Sequence, residues 1–304
     1  MKLAGLKSIE KAHEDSVWAA TWVPATEERP ALLLTGSLDE TVKVWRADEL
    51  DLVRTNTGHS LGVAAVAAHP SGIIAASSSL DSFVRVFDVD TNATIAGTIL
   101  AVAGGSSASV KLWDTASWRL ISTLSIPRPE APKPSDKTTS KKFVLSVAWS
   151  PNGKRLACGS MDGTICVFDV DRSKLLHQLE GHNMPVRSLV FSPVDPRVLF
   201  SGSDDGHVNM HDAEGKTLVG SMSGHTSWVL SVDASPDGGA IATGSSDRTV
   251  RLWDLKMRAA IQTMSNHNDQ VWSVAFRPPG GTGVRAGRLA SVSDDKSVSL
   301  YDYS

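Results

Sequence analysis

Cysteine is nearly absent from this sequence: Cys158 and Cys166 are the only two in 304 residues, with no Cys/His quartet around them. That excludes a disulfide framework and a thiolate zinc site, and two inert core thiols in a reduced intracellular compartment are expected. Long apolar runs are lacking too. The most apolar stretch, residues 94–105, is far short of the roughly 20 residues that cross a bilayer. The N-terminal MKLAGLKSIEKAHEDS holds no apolar core of a secretory leader. A soluble nuclear or cytoplasmic protein without membrane contact is expected. An excess of positive charge is also missing, since 30 basic residues face 33 acidic ones for a net charge of −3, which argues against direct nucleic-acid binding. No Gly-rich loop opens a helix, so no cofactor is expected.

What the sequence does have is a repeat. From Gly224 to Asp254, three alternating apolar runs (Val229 to Ala234, Ala240 to Gly244, Thr249 to Trp253) are separated by turn residues. Met257 to Met264 adds a fourth before Asn266-His267 restarts the pattern, which predicts a four-stranded antiparallel sheet per repeat. The third-run ends Trp45-Arg46, Phe87-Asp88, Trp113-Asp114, Phe168-Asp169, His211-Asp212, Trp253-Asp254 and Tyr301-Asp302 mark seven copies, spaced by 42, 26, 55, 43, 42 and 48 residues. A period of about 40–45 residues with these signatures resembles the WD-repeat family of β-propellers. The resemblance implies an all-β, seven-bladed propeller occupying residues 1–304 as one domain.

Three irregularities qualify that expectation. The last repeat reads only through its third strand, leaving an edge, and Lys2 to Ile9 is expected to close the propeller by pairing with Val298 to Tyr301. The 26-residue interval is about one strand and its loops too short. Ala93 to Ala96 as outer strand of blade two and Thr98 to Gly104 as second strand of blade three would run the same way, with no residues to travel back. Either a segment of roughly 16 residues is absent between 88 and 113 or one blade is defective; both readings leave the third blade incomplete, without an inner strand. The 55-residue interval holds residues 126–142, a Pro-rich, solvated loop between blades, and a Gly-rich excursion runs from Pro278 to Gly287.

His225, Thr243, Asp247 and Trp253 could be mistaken for a catalytic triad, yet the set recurs as His13, Thr35, Asp39 and Trp45. It recurs in part as His59, Ser77, Asp81, as His182, Ser201, Asp205, and as His267, Ser291, Asp295. A device present in several blades belongs to the blade, so no catalytic residue is assigned. The family resemblance implies a hydrogen-bonded tetrad, which would satisfy a buried Asp and His. It also places partner binding on the rim that carries the loops entering the inner strands. The residue after the inner-strand Val there reads Trp18, Ala64, Leu145, Arg187, Leu230 and Trp272, with Phe143 and Trp228 two positions earlier on their loops. Trp18, Trp228 and Trp272 are expected to cluster around the single Arg187, a composition typical of interface hot spots.

Beyond the repeat, AHEDSVWAATWVP, TGSLDETVKVW, LEGHNMPVRSLVFSP, TSWVLSVDASPDG, SDRTVRLWD and HNDQVWSVAFRP resemble the superkiller-eight and vernalization-independence-three type of WD-repeat protein. That resemblance implies a non-enzymatic adaptor, a monomeric propeller within larger assemblies. Its partners would be helical-repeat subunits of the superkiller RNA-decay complex and the Paf transcription-elongation complex. An alternative is a substrate receptor of a cullin-type ubiquitin ligase, for which Trp253-Asp254-Leu255-Lys256 is the nearest motif. A propeller hydrolase is disfavoured because no unrepeated carboxylate, Cys or His cluster is visible.

Overall fold

The computed structural model describes residues 1–93, 99–103, 108–127, 143–279 and 287–304. Among them every regular element is a β-strand. The first, β1 (Leu3–Ile9), precedes blade one, which is β2 (Val17–Val23), β3 (Leu32–Ser37), β4 (Val42–Arg46) and β5 (Leu52–Asn56). Blade two is β6 (Val63–Ala68), β7 (Ile74–Ser79) and β8 (Val84–Asp88); blade three is β9 (Ile99–Ala103), β10 (Ser109–Asp114) and β11 (Arg119–Ser125). Blade four follows as β12 (Val144–Trp149), β13 (Arg155–Ser160), β14 (Ile165–Asp169) and β15 (Lys174–Leu179). Blade five is β16 (Val186–Phe191), β17 (Val198–Ser203), β18 (His207–Asp212) and β19 (Thr217–Ser223). Blade six is β20 (Val229–Ala234), β21 (Ala240–Ser245), β22 (Val250–Asp254) and β23 (Ala259–Met264); blade seven is β24 (Val271–Phe276), β25 (Gly287–Ser293) and β26 (Val298–Tyr303). These seven sheets are the blades of the expected all-β propeller.

Turn chemistry sets the strand ends. At Ser235-Pro-Asp-Gly-Gly, the Gly238 amide donates to Ser235 O at 2.9 Å, the Ser235 hydroxyl donates to Asp237 at 2.5 Å, and Gly238 takes φ of 69°. A non-Gly residue would be strained there, so β20 turns into β21 at that point.

Contacts divide the chain into two compact units, residues 1–95 with 230–304, and residues 96–229. In the first, β1 pairs antiparallel with β26 from Leu3 opposite Tyr303 to Ile9 opposite Val298, as expected for the N-terminal run. Gln262 of β23 clamps the same strand: its Nε2 donates to Leu3 O at 2.6 Å, and its Oε1 accepts from Leu3 N at 2.7 Å. Leu3 is thereby buried with Tyr301, Tyr303, Phe276 and Leu252 in a core shared by blades six and seven. Blades seven and one share a second core around Trp22, Trp45, Val292 and Val298, and blades one and two a third around Leu34, Val44 and Val63.

The second unit buries Leu112, Leu124, Leu156 and Phe168 between blades three and four, and Val167, Val186 and Leu199 between four and five. The repeated Gly that follows Thr35 in blade one and Cys158 in blade four is needed for this stacking. A Cβ on Gly36 would lie 2.7 Å from Val63 Cγ1, and one on Gly159 would lie 2.7 Å from Val186 Cγ1. The glycine lets the next inner strand approach.

The shortage of strands falls where the 26-residue interval puts it. Among the described residues blade two has three strands, the last of them β8, and blade three has β11-β10-β9, with β9 paired to the third strand and no inner strand. The expected outer strand Ala93 to Ala96 lies, beyond Ala93, outside the described residues, as do 128–142 of the loop insertion and 280–286 of the Gly-rich excursion. The inner strands that precede and follow the shortage are correspondingly open: Ala64, Ala65 and Ala67 of β6 and Leu145 of β12 are exposed.

This predicts where protection is lowest. The Asp88 amide bonds forward to Ala93 O, so by strand alternation the amides of Val86 and Val84 also point away from β7. Hydrogen exchange should be faster at Val84 and Val86 than at Val42, Val44, Val250 and Leu252, whose strands have outer partners. Equal protection at all six would refute the open edge.

Candidate functional site

The repeated His, Asp and hydroxyl residues converge as the blade pattern requires. In blade one, His13 Nδ1 lies 2.8 Å from Asp39 Oδ2, His13 Nε2 lies 2.8 Å from Thr35 Oγ1, and Trp45 Nε1 donates to the same hydroxyl at 2.8 Å. An ionised carboxylate only accepts, so Nδ1 carries the proton and Nε2 is bare. The Thr35 hydroxyl must then donate to Nε2, giving a one-way chain from Trp45 through Thr35 and His13 to Asp39. Burial alone would raise the Asp39 carboxyl, but hydrogen bonds from His13, Thr41 and the Glu14 amide outweigh it and hold it well below the usual carboxylate range. Burial lowers the His13 pKa despite Asp39, which keeps the ring neutral. Thr35 is fully buried and its oxygen already receives the indole proton, so it is not placed as a nucleophile.

The other blades vary the fourth member. Blade two keeps His59 at 2.9 Å from both Asp81 and Ser77, but Phe87 offers no donor. Blade five holds His182 2.7 Å from Asp205 and 2.8 Å from Ser201, and His211 Nε2 reaches the Ser201 hydroxyl at 2.9 Å in the indole's place. The same proton logic makes Nε2 the donor, leaving His211 Nδ1 a buried acceptor without a hydrogen-bond partner among the described residues. Burial, then the neighbouring His182, lowers the His211 pKa to about 4. In blade seven His267 lies 2.6 Å from Ser291 and 3.1 Å from Asp295, and the Tyr301 hydroxyl stands 3.1 Å from Ser291. In blade six Trp253 Nε1 donates to Thr243 at 2.8 Å, Asp247 accepts from the Thr249 hydroxyl at 2.6 Å, and His225 is buried. Recurrence in this form makes the network a structural device.

One acid escapes the repeat. Asp233 stands in β20 where the other inner strands carry Thr21, Ala67, Ala148, Val190 and Ala275. Its carboxylate accepts the Phe276 amide of β24 at 2.6 Å and the Ala234 amide at 2.9 Å, tying blade six to blade seven. Desolvation of the carboxyl outweighs both bonds and pushes its pKa up to about 7. An acid where sibling repeats hold small residues is the sequence signal for it.

The rim residues divide between the units. In the first, Trp18 and Trp272 meet with ring centroids 4.9 Å apart and planes tilted 33°. Trp18 Nε1 donates to Asp294 Oδ1 at 3.2 Å, Asp294 also receives Gln270, and Trp272 Nε1 is buried without a partner. In the second, Arg187 makes a two-point ion pair with Asp204, both bonds 2.8 Å, while its guanidinium lies 5.6 Å from the Trp228 ring centroid. Asp204 neutralises the charge, so Arg187 holds Trp228 rather than offering a free cation. Trp228 is 45 % exposed, and Leu145, Met161 and Met184 are exposed in the same unit. Phe143 is half-buried, with its carbonyl accepting the Met161 amide at 2.9 Å. Leu230 corrects the expectation: at 5 % exposure it is core, because neighbouring segments cover it, whereas the equivalent Leu145 is left exposed. The contacts observed among these residues are two pairs, Trp18 with Trp272 in one unit and Trp228 with Arg187 in the other. Asp204, Asp294 and Gln270, which orient them, are additional to the predicted set.

Comparison with known proteins agrees with this architecture. Residues 31–302 match the model of the IFT122 first β-propeller, and residues 6–46 match the WD domain, G-beta repeat. The chain is 92 % identical over 321 positions to the WD repeat-containing protein VIP3 of Arabidopsis thaliana, covering all of both chains. It is 33 % identical over 226 residues to the WD repeat-containing protein SL1-17 of Schistosoma mansoni, covering 70 % of this chain and 72 % of that one. The first alignment spans 321 positions against 304 residues here, so 17 positions face no residue of this chain. That is close in size to the roughly 16-residue deficit of the 26-residue interval.

Two substitutions test the site. Asp39→Ala should lower stability by about 1–3 kcal/mol, since it strands the buried His13 Nδ1; an unchanged melting temperature would remove the network from the stability account. Asp233 is raised above its unfolded value, so its contribution is complete at low pH and lost as pH rises through 7. Asp233→Asn should therefore gain stability over the parent between about pH 4 and 7, on the order of 1 kcal/mol per pH unit, and level off above, in denaturant titrations; a pH-independent difference would contradict the shift.

Proposed function

The chain belongs to the WD-repeat family of β-propellers, and from that premise we propose that it is a non-enzymatic scaffold subunit of the Paf transcription-elongation complex and the superkiller RNA-decay complex, working in nucleus and cytoplasm. Members of this family are typically scaffolds without catalysis, and the hydroxyl, imidazole and carboxylate groups that could do chemistry are spent on joining strands within blades. The observation that carries the reading to a surface is Trp228, a large indole kept exposed by a charge-neutralised Arg187 beneath it. An ordered exposed aromatic in a unit that also exposes Met161, Met184 and Leu145 suits an apolar anchor of a partner peptide. Helical-repeat subunits of the two complexes are the proposed partners, and the similarity to a WD repeat-containing protein supports the scaffold reading in general.

The paired Trp18 and Trp272 form a second contact region, with less free indole surface because both rings are half-buried. Trp228→Ala should weaken capture of Paf and superkiller components about 30-fold, the equivalent of about 2 kcal/mol at an aromatic anchor, with little change in melting temperature. Trp18→Ala with Trp272→Ala should weaken capture while also lowering stability, because stacked rings are lost. Deletion of residues 126–142 should leave capture intact. Capture unchanged by the indole variants would sink the rim, and recovery of a cullin adaptor in place of Paf and superkiller components would replace the assignment.

A further inference from the structure

The turn between β22 and β23 departs from its siblings in charge and polarity while keeping their backbone. In blades one to six the third strand ends in the same turn, which closes on a residue with φ between 50 and 61°: Leu50, Asn92, Trp118, Ser173, Lys216 and Arg258. Two positions before it the first five blades carry Asp48, Asp90, Ala116, Asp171 and Glu214, and blade six carries Lys256. One position before it they carry Glu49, Thr91, Ser117, Arg172 and Gly215, and blade six carries Met257. At 70 % exposure Met257 is the most open large apolar side chain among the described residues. The shared turn geometry demands neither the reversed charge nor the methionine.

Local bonds fix this turn. The Asp254 carboxylate accepts the Lys256 and Met257 amides, both at 2.8 Å, and the Leu255 amide donates to Gly239 O at 3.2 Å. Gly239 also seats the residue before β1, since a Cβ there would lie 3.3 Å from Met1 Cε and 3.5 Å from Met1 Sδ. Met1 is 49 % exposed, and Lys2 beside it is exposed as well. The nearby carboxylates are engaged: Asp254 holds the turn, and Asp237 accepts the Ser235 hydroxyl at 2.5 Å and the Gly239 amide at 3.1 Å. Among the described residues Lys2, Lys256 and Arg258 enter no ion pair.

Two exposed thioethers and three cations thus meet around Gly239 within the unit of residues 1–95 and 230–304. We propose that this surface binds an acidic polypeptide segment, which sets an apolar side chain on Met257 and Met1 and turns carboxylates towards Lys256, Arg258 and Lys2. Methionine adapts to apolar side chains of different shape, a turn already ordered loses little freedom on binding, and complementary charge selects the sign of the segment. Three cations are fewer than the roughly four to eight that hold a protein on anionic lipid, which favours a protein segment. The Asp247 turn, where Ser246 bonds Gln270 of the indole rim, stands at the opposite end of β22. This surface is therefore separate from that rim and does not depend on the scaffold assignment.

The test is a phage-displayed library of random dodecapeptides, panned on the full chain and counter-selected on Lys256→Asp with Met257→Thr. That double variant installs the Asp90-Thr91 pair of blade two on an equivalent backbone, so its melting temperature is expected to match the parent; Arg258→Ser, after Ser173 of blade four, gives the same comparison through one substitution. Retained peptides are expected to carry Asp or Glu around Leu, Ile, Met or Phe. A fluorescein-labelled copy of the most enriched one should bind the parent saturably in fluorescence anisotropy, at least about ten-fold more tightly than either variant. Its affinity should fall as salt is raised and should be unaffected by Trp228→Ala. No peptide surviving the counter-selection overturns the proposal, and so do survivors that are basic or uncharged. Adsorption to phosphatidylserine vesicles that the double variant loses, with no peptide retained, overturns it in favour of a membrane.

Discussion

A small sheet with apolar residues on both faces cannot bury them alone, and every feature of this chain follows from the need for a neighbour. Leu34 and Val44 of blade one are covered by Val63 of blade two, and Ala157 and Val167 of blade four by Val186 of blade five. The contact is close enough that the preceding second strand must carry glycine where the valine approaches, as at Gly36 and Gly159. Where no inner strand follows among the described residues, Ala64, Ala65 and Ala67 of β6 are exposed.

The hydrogen-bonded networks solve a second problem, fixing two strands, the turn between them and a loop to one another inside a core that is otherwise apolar. Each uses a proton chain with a single direction, which a blade can alter only at its first member. Trp45 is the full version, His211 a smaller donor that leaves one nitrogen unpaired, and Phe87 no donor at all. His211 and Asp233 carry opposite pH dependence through the same range. His211 contributes fully above its unfolded value and less as pH falls from 6.5 towards 4, whereas Asp233 contributes less as pH rises towards 7. Their slopes oppose each other near neutrality.

The rim gains its binding character by the same economy of charge. Asp204 takes up both donors of the Arg187 fork and Asp294 takes the Trp18 indole, so what faces outward is aromatic and sulfur surface with its polar edges engaged. Such a surface favours apolar anchors over phosphorylated or acidic ones.

The number of blades, the strand pattern, the terminal strand β1 and the partners of His13, Thr35, Asp39 and Trp45 were legible in the sequence, because each depends on a spacing that recurs every 40-odd residues. The shortened interval likewise predicted a third blade without an inner strand, and none is found among the described residues. Exposure was not legible. Leu230 and Leu145 occupy the same place in their repeats, yet one is core and the other is open, since the difference lies in what other segments cover them. The neutralising of Arg187 by Asp204 and the raised pKa of Asp233 were hidden for the same reason. A local repeat determines which groups a residue can reach within its own blade, while only the packed neighbours, tens to hundreds of residues away, decide its solvation and therefore whether it binds, titrates or merely fills space.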